Sequence, residues 1–476
     1  MNNSIARLFT IVIVLFGTLI AWTSRWTVFQ SNALQRQPLN QLPFFASLKV
    51  KRGRILADNG AVLARSVPAG GGLWNRHYPT GPLFAQPIGY SIVSKHQQAG
   101  LEQYRARELG GTLRTGLSSV FGPISTQTVG DDVYTSLDPR GQQLAKTQLA
   151  GRVGSVVAIV PATGAIRVMY SNPSYDNNDP FAPCANSCQY NRATQALYPP
   201  GSTFKVVTAT AALNSGIYTP SSMIDGHSPI TVSGVPLSND AGDPPFGVIP
   251  LSQALVYSVN TVFAQVGLRL GRQTMQTYMK RFGFYSTPPL DYPASQMSTS
   301  GNWVSGKLVP ATSDQVDLGR MAIGQANLLV TPLQMAMVAA AVANHGRLME
   351  PRLTSRVVNQ VGQVVERVSP KEYSQVMKPA TASELTQMMT SVVEEGTGQS
   401  AHLGGVSVAG KTGTAQTGGF SGGQPLDDAW FIGFAPVQDP KIAVAVTLEN
   451  IPNGYGGVYA APIAAQVIRT LLAETR

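Results

Sequence analysis

The sequence predicts an α+β fold: an antiparallel sheet with a helical lobe, preceded by a smaller N-terminal domain and one transmembrane helix. Three observations predict it. Two pairs of apolar, β-branched runs lie far apart in the chain, SVVAIV with AIRVMYS from Ser155, and DAWFIGFAPV with KIAVAVTLEN near the end. Each pair flanks a turn, Pro161-Ala162-Thr163-Gly164 and Gln438-Asp439-Pro440, and so reads as a hairpin of mostly buried strands. The stretch between them carries Ala-rich helical patterns such as MVAAAVANHG, and the chain opens on an uncharged apolar run over residues 8–24.

That opening run sits at the short limit for a spanning helix, with Arg7 before it and Trp22 and Trp26 suited to an interfacial belt. Arg25 follows directly, so positive charge does not set the orientation. A cleaved signal peptide competes, but no A-x-A site precedes Arg25, which favours an uncleaved anchor. Either way the rest of the chain is expected outside the cytoplasm. With 476 residues, 43% of them hydrophobic, the chain has enough apolar surface for two domains. Lys and Arg outnumber Asp and Glu by 35 to 25, yet they are scattered except over residues 49–54, with no nucleic-acid motif beside them. Surface solvation is the reading, and nucleic acid is not an expected partner. Cys184 and Cys188 are the two cysteines, in the loop-like NDPFAPCANSCQYN, and the five histidines do not cluster near them. A metal site lacks ligands; a local disulfide and two inert thiols both remain open.

In order, residues 1–29 read as a cytoplasmic tip and anchor, 30–150 as a non-catalytic N-terminal domain, and 151–476 as the catalytic domain. A polar linker with Pro38 and Pro43 covers residues 30–46. Arg52-Gly53-Arg54-Ile55, the turn Asp58-Asn59-Gly60 and residues 61–64 read as strand, turn and strand. Residues 139–150 form a short helix that closes the first domain.

The chemistry centres on Tyr198-Pro199-Pro200-Gly201-Ser202-Thr203-Phe204-Lys205. The prolines and Gly201 stop any preceding element, so a helix should begin at Ser202, with Lys205 one turn on and its amine near the Ser202 hydroxyl. A desolvated lysine with a depressed pKa can take the proton of an otherwise weak serine nucleophile. Two later motifs fit the same purpose: Ser258-Val259-Asn260, and Lys411-Thr412-Gly413-Thr414. Alone, S-x-x-K occurs by chance, Ser258 and Asn260 read as a polar pair flanking a helix, and Lys411 to Thr414 read as a solvated turn. Together and in this order they match the signature of penicillin-binding proteins and class A β-lactamases, with Ser258-Val259-Asn260 standing for S-D-N.

The chain therefore resembles a penicillin-binding protein. Further segments carry the likeness: Arg76-His77-Tyr78-Pro79, Gly100-Leu101-Glu102, Asn191-Arg192-Ala193, Ala322-Ile323-Gly324-Gln325 and Val330-Thr331-Pro332. Arg52-Gly53-Arg54-Ile55 is similar to the box that opens class B members, but lacks its second arginine. About one hundred residues separate anchor and catalytic domain, too few for a glycosyltransferase domain, so the likeness is to monofunctional class B proteins, most of all the short PbpA type of actinobacteria and relatives. The resemblance implies a serine-acyltransferase, β-lactamase-like fold and a D,D-transpeptidase that cross-links peptidoglycan stem peptides and is inhibited by β-lactams. By the same resemblance Ser202 is the nucleophile, Lys205 the base, Ser258 a proton relay touching both lysines, and Asn260 a holder of substrate backbone. Lys411 would supply positive potential, Thr412 and Thr414 a carboxylate site, and Gly413 room for close approach. The oxyanion hole would be the backbone N–H groups of Ser202 and Thr414. It implies no cofactor and no metal, with a membrane glycosyltransferase and division or elongation proteins as partners. Water as acceptor, in a D,D-carboxypeptidase or β-lactamase, is the alternative within this chemistry. A β-lactam-binding division scaffold is the alternative outside it. The glycine-rich stretch 417–423 reads equally as a loop shaping the cleft and as a long hairpin loop.

Overall fold

The computed structural model describes residues 3–26, 48–95, 97–111, 129–240 and 242–473; the linker expected over residues 30–46 lies outside them. Helix α1, Asn3–Ser24, contains the uncharged apolar run over residues 8–24 and buries no residue against the rest of the protein. It is the one helix among the described residues long and apolar enough to cross a membrane. Strands β1 (Ile55–Leu56), β2 (Val62–Gly70), β3 (Leu73–His77) and β4 (Asp132–Thr135) follow. The second strand is thus longer than the expected 61–64, running on to a Gly70-Gly71-Gly72 turn with all three glycines at positive φ. Helix α2 (Pro139–Gln148) starts on Asp138, whose carboxylate accepts from the Arg140 and Gly141 amides, with Pro139 in the first turn.

Next come strands β5 (Gly154–Ile159) and β6 (Ile166–Asn172), then helices α3 (Lys205–Asn214), α4 (Leu251–Val256) and α5 (Asn260–Arg281), the last broken at Gly271. Helix α6 (Pro332–Ala343) is capped by Thr331 and buried at every residue. Strands β7 (Thr354–Val358) and β8 (Val364–Arg367), helix α7 (Pro379–Glu394), strands β9 (Ala409–Ser421), β10 (Gln424–Ala435) and β11 (Ile442–Pro452), and helix α8 (Ala461–Leu472) complete the order.

Two sheets organise these elements. The larger catalytic sheet is five-stranded and antiparallel, in the order β9-β10-β11-β5-β6, so both expected hairpins sit side by side although nearly the whole helical lobe lies between them in sequence. Successive side chains of a strand point to opposite faces. Val156 and Ala158 accordingly face α2 and α8, while Val157 and Ile159 join the core that contains Phe204 of the serine turn and α6. Helix α2 therefore packs on this sheet rather than on the N-terminal one.

The second sheet runs β8-β7-β4-β1-β2-β3, parallel only between β1 and β4. Two of its strands come from residues 354–367, so the late part of the chain completes a sheet begun by the early part. Beside it, the motif residues Arg52, Arg76, Tyr78 and Glu102 converge. Arg52 Nη2 and Arg76 Nε each bond the fully buried Glu102 carboxylate, at 2.8 and 2.5 Å, and the Tyr78 hydroxyl donates to it at 3.3 Å. Burial alone would raise the Glu102 pKa, but the two guanidiniums outweigh it and hold the group below the usual carboxylate range. Tyr78 in turn is tied to Asn178 by paired bonds of 2.9 and 3.0 Å, which fixes this segment to the stretch leading to Ser202.

Removing the carboxylate leaves two buried cations without their counter-ion. Glu102→Ala should cost about 3–5 kcal/mol in urea unfolding. Arg54→Ala breaks the pair with Asp132, in which the arginine is half exposed, and should cost under about 1 kcal/mol. Equal losses in the two variants would contradict a structural role for the buried triad.

Candidate active site

The serine turn is held by backbone from three directions. Tyr198 pairs with Val330 through both backbone bonds, 3.0 and 2.8 Å, and the Gly201 amide donates to Gly324 O at 3.0 Å. A Cβ on Gly324, which has φ +80°, would lie 1.9 Å from Gly201 O, and one on Gly413 would lie 2.8 Å from Pro200 O. The turn, the 321–325 segment and the Lys411 strand can meet only because these positions lack side chains. This gives the Ala322-Ile323-Gly324-Gln325 segment its place: it is the floor under the turn.

Ser202 does not begin the α-helix. Gly201–Phe204 is a 3₁₀ turn and α3 starts at Lys205. Tight 3₁₀ turns are frequent at helix N-termini, and here the turn leaves the Ser202 side chain half-buried at the cleft while Thr203, Phe204 and Lys205 are fully buried. The Lys205 amine does not bond the Ser202 hydroxyl as expected. It donates to Ser258 O at 2.5 Å, Ser258 Oγ at 3.2 Å and Asn260 Oδ1 at 2.6 Å. The Ser202 hydroxyl has no hydrogen-bond partner among the described residues.

Ser258 lies in the break between α4 and α5 at φ 62°, a left-handed conformation unusual for serine. Strain of this kind, of order 1–3 kcal/mol, persists where the surroundings over-determine it. Here the bend aims both oxygens of Ser258 at one amine. The Asn260 amide is engaged on both sides: its oxygen faces Lys205, and its nitrogen donates to Ser238 O at 3.3 Å and Asp240 Oδ1 at 3.2 Å.

Lys411 to Thr414 lie on β9, the edge strand of the catalytic sheet, paired on their inner side with Ile432, Phe431, Trp430 and Ala429. Lys411 is fully buried, and its amine donates to Thr412 O at 3.1 Å and Thr412 Oγ1 at 3.4 Å, not to Ser258. The Thr412 hydroxyl shares a 2.6 Å bond with Thr397, and the Thr414 hydroxyl accepts from the Gly456 amide at 3.4 Å. Residues 417–423 are not a loop. β9 continues to Ser421 and turns at Gly422-Gly423, with an irregular register between Gln416 and Gly419. Trp430 is core, with the Tyr198 ring edge-on to it at 5.9 Å.

Burial pushes the Lys205 amine down to about 7, against the opposing pull of Asp240 and Asp243. Burial also holds Lys411 well below its ordinary value, and here the Lys205 charge adds to the effect. The like-charge influence thus falls on Lys411 rather than on Lys205. Ser202, Ser258, Thr412, Gly413 and Thr414 line one cleft of about 330 Å³, with Asp240, Thr397, Tyr455 and Gly456 completing its walls. Such a site holds a hydroxyl at a surface, a buried neutral-tending amine one residue-layer behind it, and a free strand edge beside both.

Comparison with known proteins places this geometry. The penicillin binding protein transpeptidase domain model matches residues 154–469. The chain belongs to the penicillin-binding protein family. Within that family, the penicillin binding protein A dimerisation domain model matches residues 52–128, of which 112–128 lie outside the described residues. Peptidoglycan D,D-transpeptidase PbpA of Mycolicibacterium smegmatis is 32% identical over the whole of both chains. Its namesake from Mycobacterium tuberculosis is 31% identical over 99% of each. Among solved structures, the ceftriaxone acyl-enzyme complex of penicillin-binding protein A from M. tuberculosis superposes with a TM-score of 0.78 at 31% identity, covering 90% of this chain and 100% of that one. A D,D-transpeptidase domain from Eggerthella lenta gives the same TM-score and identity, over 90% and 99%.

Several supporting residues of this penicillin-binding protein carried no signal that sequence reasoning used. Thr397 sits in Gly396-Thr397-Gly398 and Asp240 in Ser238-Asn239-Asp240, short polar strings that gain meaning only from the cleft they meet in. Cys184 and Cys188 form a disulfide. The loop it closes offers Asn186 O to Arg192 at 2.7 Å, and Arg192 pairs at 2.7 Å with Glu449, which also receives the Tyr198 hydroxyl. The disulfide loop therefore braces the segment leading to Ser202.

Proposed function

We propose that this chain is a peptidoglycan D,D-transpeptidase working through a Ser202 acyl ester. The single observation that carries the reading is the convergence of Ser202, Lys205, Ser258, Asn260 and the Lys411 to Thr414 edge on one cleft, in a chain of this family. Ser202 Oγ attacks the carbonyl carbon of the donor stem's last peptide bond, and its proton passes to neutral Lys205. The Ser202 and Thr414 amides take up the charge that develops on the carbonyl oxygen. As the C–N bond breaks, Ser258 relays the proton from Lys205 to the departing D-alanine amine. Thr412 and Thr414 hold the terminal carboxylate in the positive potential of Lys411 behind them, Gly413 lets the substrate backbone approach, and Asn260 holds the donor's backbone. The acceptor stem's amine then attacks the ester, the C–Oγ bond breaks, and Ser202 recovers its proton.

In this reading residues 1–29 anchor the protein in the cell membrane by a single pass with the catalytic part outside the cytoplasm. Residues 30–150 serve as a non-catalytic pedestal, and 151–476 as the transpeptidase domain. The glycan strands come from a separate membrane glycosyltransferase, in company with division or elongation proteins. β-Lactams occupy the cleft as donor mimics.

Acceptor choice separates this reading from a carboxypeptidase or β-lactamase. Among the described residues that line the cleft Asp240 is the only carboxylate, and it is hydrogen-bonded to Asn260 rather than to Ser202. The penicilloyl adduct should persist far longer than it takes to form. With a thioester donor and a D-amino acid acceptor, exchange product should exceed hydrolysis product, because hydrolysis wastes the activated acyl group. Rapid return of free enzyme with many equivalents of penicilloic acid would transfer the assignment to a β-lactamase.

A further inference from the structure

The charge inventory of the cleft is one-sided in an unexpected direction. Its two lysines are fully buried behind the wall, while the only charged residue among the fourteen that line it is Asp240. Asp240 is exposed, so its carboxylate faces arriving ligands rather than the core. Neighbouring bonds hold it in place. Asn239 accepts from the Thr261 amide at 3.0 Å and donates to Gly226 O at 3.1 Å, which pins the preceding residue to the start of α5. Asp240 Oδ1 accepts from Asn260 Nδ2 at 3.2 Å, and Oδ2 has no hydrogen-bond partner among the described residues. The acids nearest behind the Lys411 strand, Asp427 and Asp428, are buried and accept from the Gly454 and Asn450 amides, so they do not share this exposure.

A fixed, exposed carboxylate with a free oxygen, at a cleft whose buried amines carry depressed pKa values, is suited to a cation. The reaction supplies one: every stem that can accept an acyl group carries a free amino group, and a donor stem carries the same group. We propose that Asp240 is a specificity-determining residue that docks an amino group of the stem peptide as its ammonium ion. The inference rests on the transpeptidase reading above. The amine belongs either to the donor lying against Asn260 or to the acceptor arriving at the ester; both dock with the same chemistry, and an acceptor gives up one proton, to Asp240 Oδ2 or to solvent, before its nitrogen attacks.

The test uses the full-length protein in detergent and the isosteric variant Asp240→Asn, which can still accept from Asn260. Acylation is followed with a peptide donor bearing a free side-chain amine and with the same donor acetylated there. If the donor is read, the ratio of the two rates should fall about fivefold in the variant, the effect of one partly exposed ion pair. If the acceptor is read, the ratio should hold, and the amine concentration needed for half-maximal aminolysis of a preformed acyl-enzyme should rise by about the same factor. Two results would overturn the proposal: no change in either quantity, or equal slowing of both donors with the acceptor concentration unmoved, which would make Asp240 only an orienter of Asn260. Failure of the wild-type protein to form a penicilloyl adduct at Ser202 would instead break the transpeptidase reading, so the two failures are distinguishable.

Discussion

Intact-mass measurement of the Ser202→Ala variant after incubation with penicillin should show no added mass, where the unaltered protein gains one penicilloyl group. The substitution deletes a single oxygen from a half-buried side chain with no hydrogen-bond partner among the described residues, so the turn that bears it keeps its backbone bonds to Gly324 and Val330. Loss of the adduct would therefore report loss of the nucleophile. The competing hydroxyls are close: Ser258 and Thr412 line the same cleft. Both are already committed, Ser258 to Lys205 and Thr412 to Thr397. An adduct that persisted in Ser202→Ala, or that mapped to Ser258 by peptide mass, would overturn the assignment.

Lys205→Arg should slow acylation on the order of 100-fold or more, the usual reach of a general base. Arginine keeps the charge and the donors but cannot deprotonate at any accessible pH. Lysine here can, because burial brings its amine down to about 7. The sign of the pH dependence follows. The base form is the neutral amine, so acylation by the unaltered protein should rise with pH through about 7 and level off above it. The Arg variant should lack that rise. Since Lys205 is fully buried, a thermal unfolding profile of the variant must accompany the rates. A folded Lys205→Arg protein acylated within about threefold of the original rate would reduce Lys205 to a structural cation.

The strands of the catalytic sheet were legible because they are long, β-branched and flanked by turn residues, and the nucleophile was legible because three motifs constrain one another. What the lysines touch was not. Sequence spacing put the Lys205 amine near Ser202, since residues three apart share a helix face. The actual bonds run to Ser258 and Asn260, and depend on the left-handed bend at Ser258, which nothing in Ser258-Val259-Asn260 announces. Residues 417–423 misled for a related reason. Glycines suggest a loop, yet the strand pairing with β10 carries on across an irregularity to a two-glycine turn. The meeting of Arg52, Arg76 and Glu102 was foreshadowed only as separate motif fragments, because a buried ion triad leaves no periodicity.

The borrowed strands of the N-terminal sheet bear on how the protein reaches its native state. β4 leaves the ribosome early, but its neighbour β7 follows only after most of the catalytic part; the bond from the Ser355 hydroxyl to Tyr134 O joins residues 221 apart. Contacts of such long range are slow to form, because loop closure precedes any gain from pairing. Until β7 arrives, β4 presents an open edge of the kind that pairs with other chains. A chain delivered progressively across a membrane would hold that edge exposed until Ser355, 221 residues after Tyr134, follows. A fragment that ends before residue 354 therefore lacks two of the six strands of this sheet and leaves β4 paired on one side only.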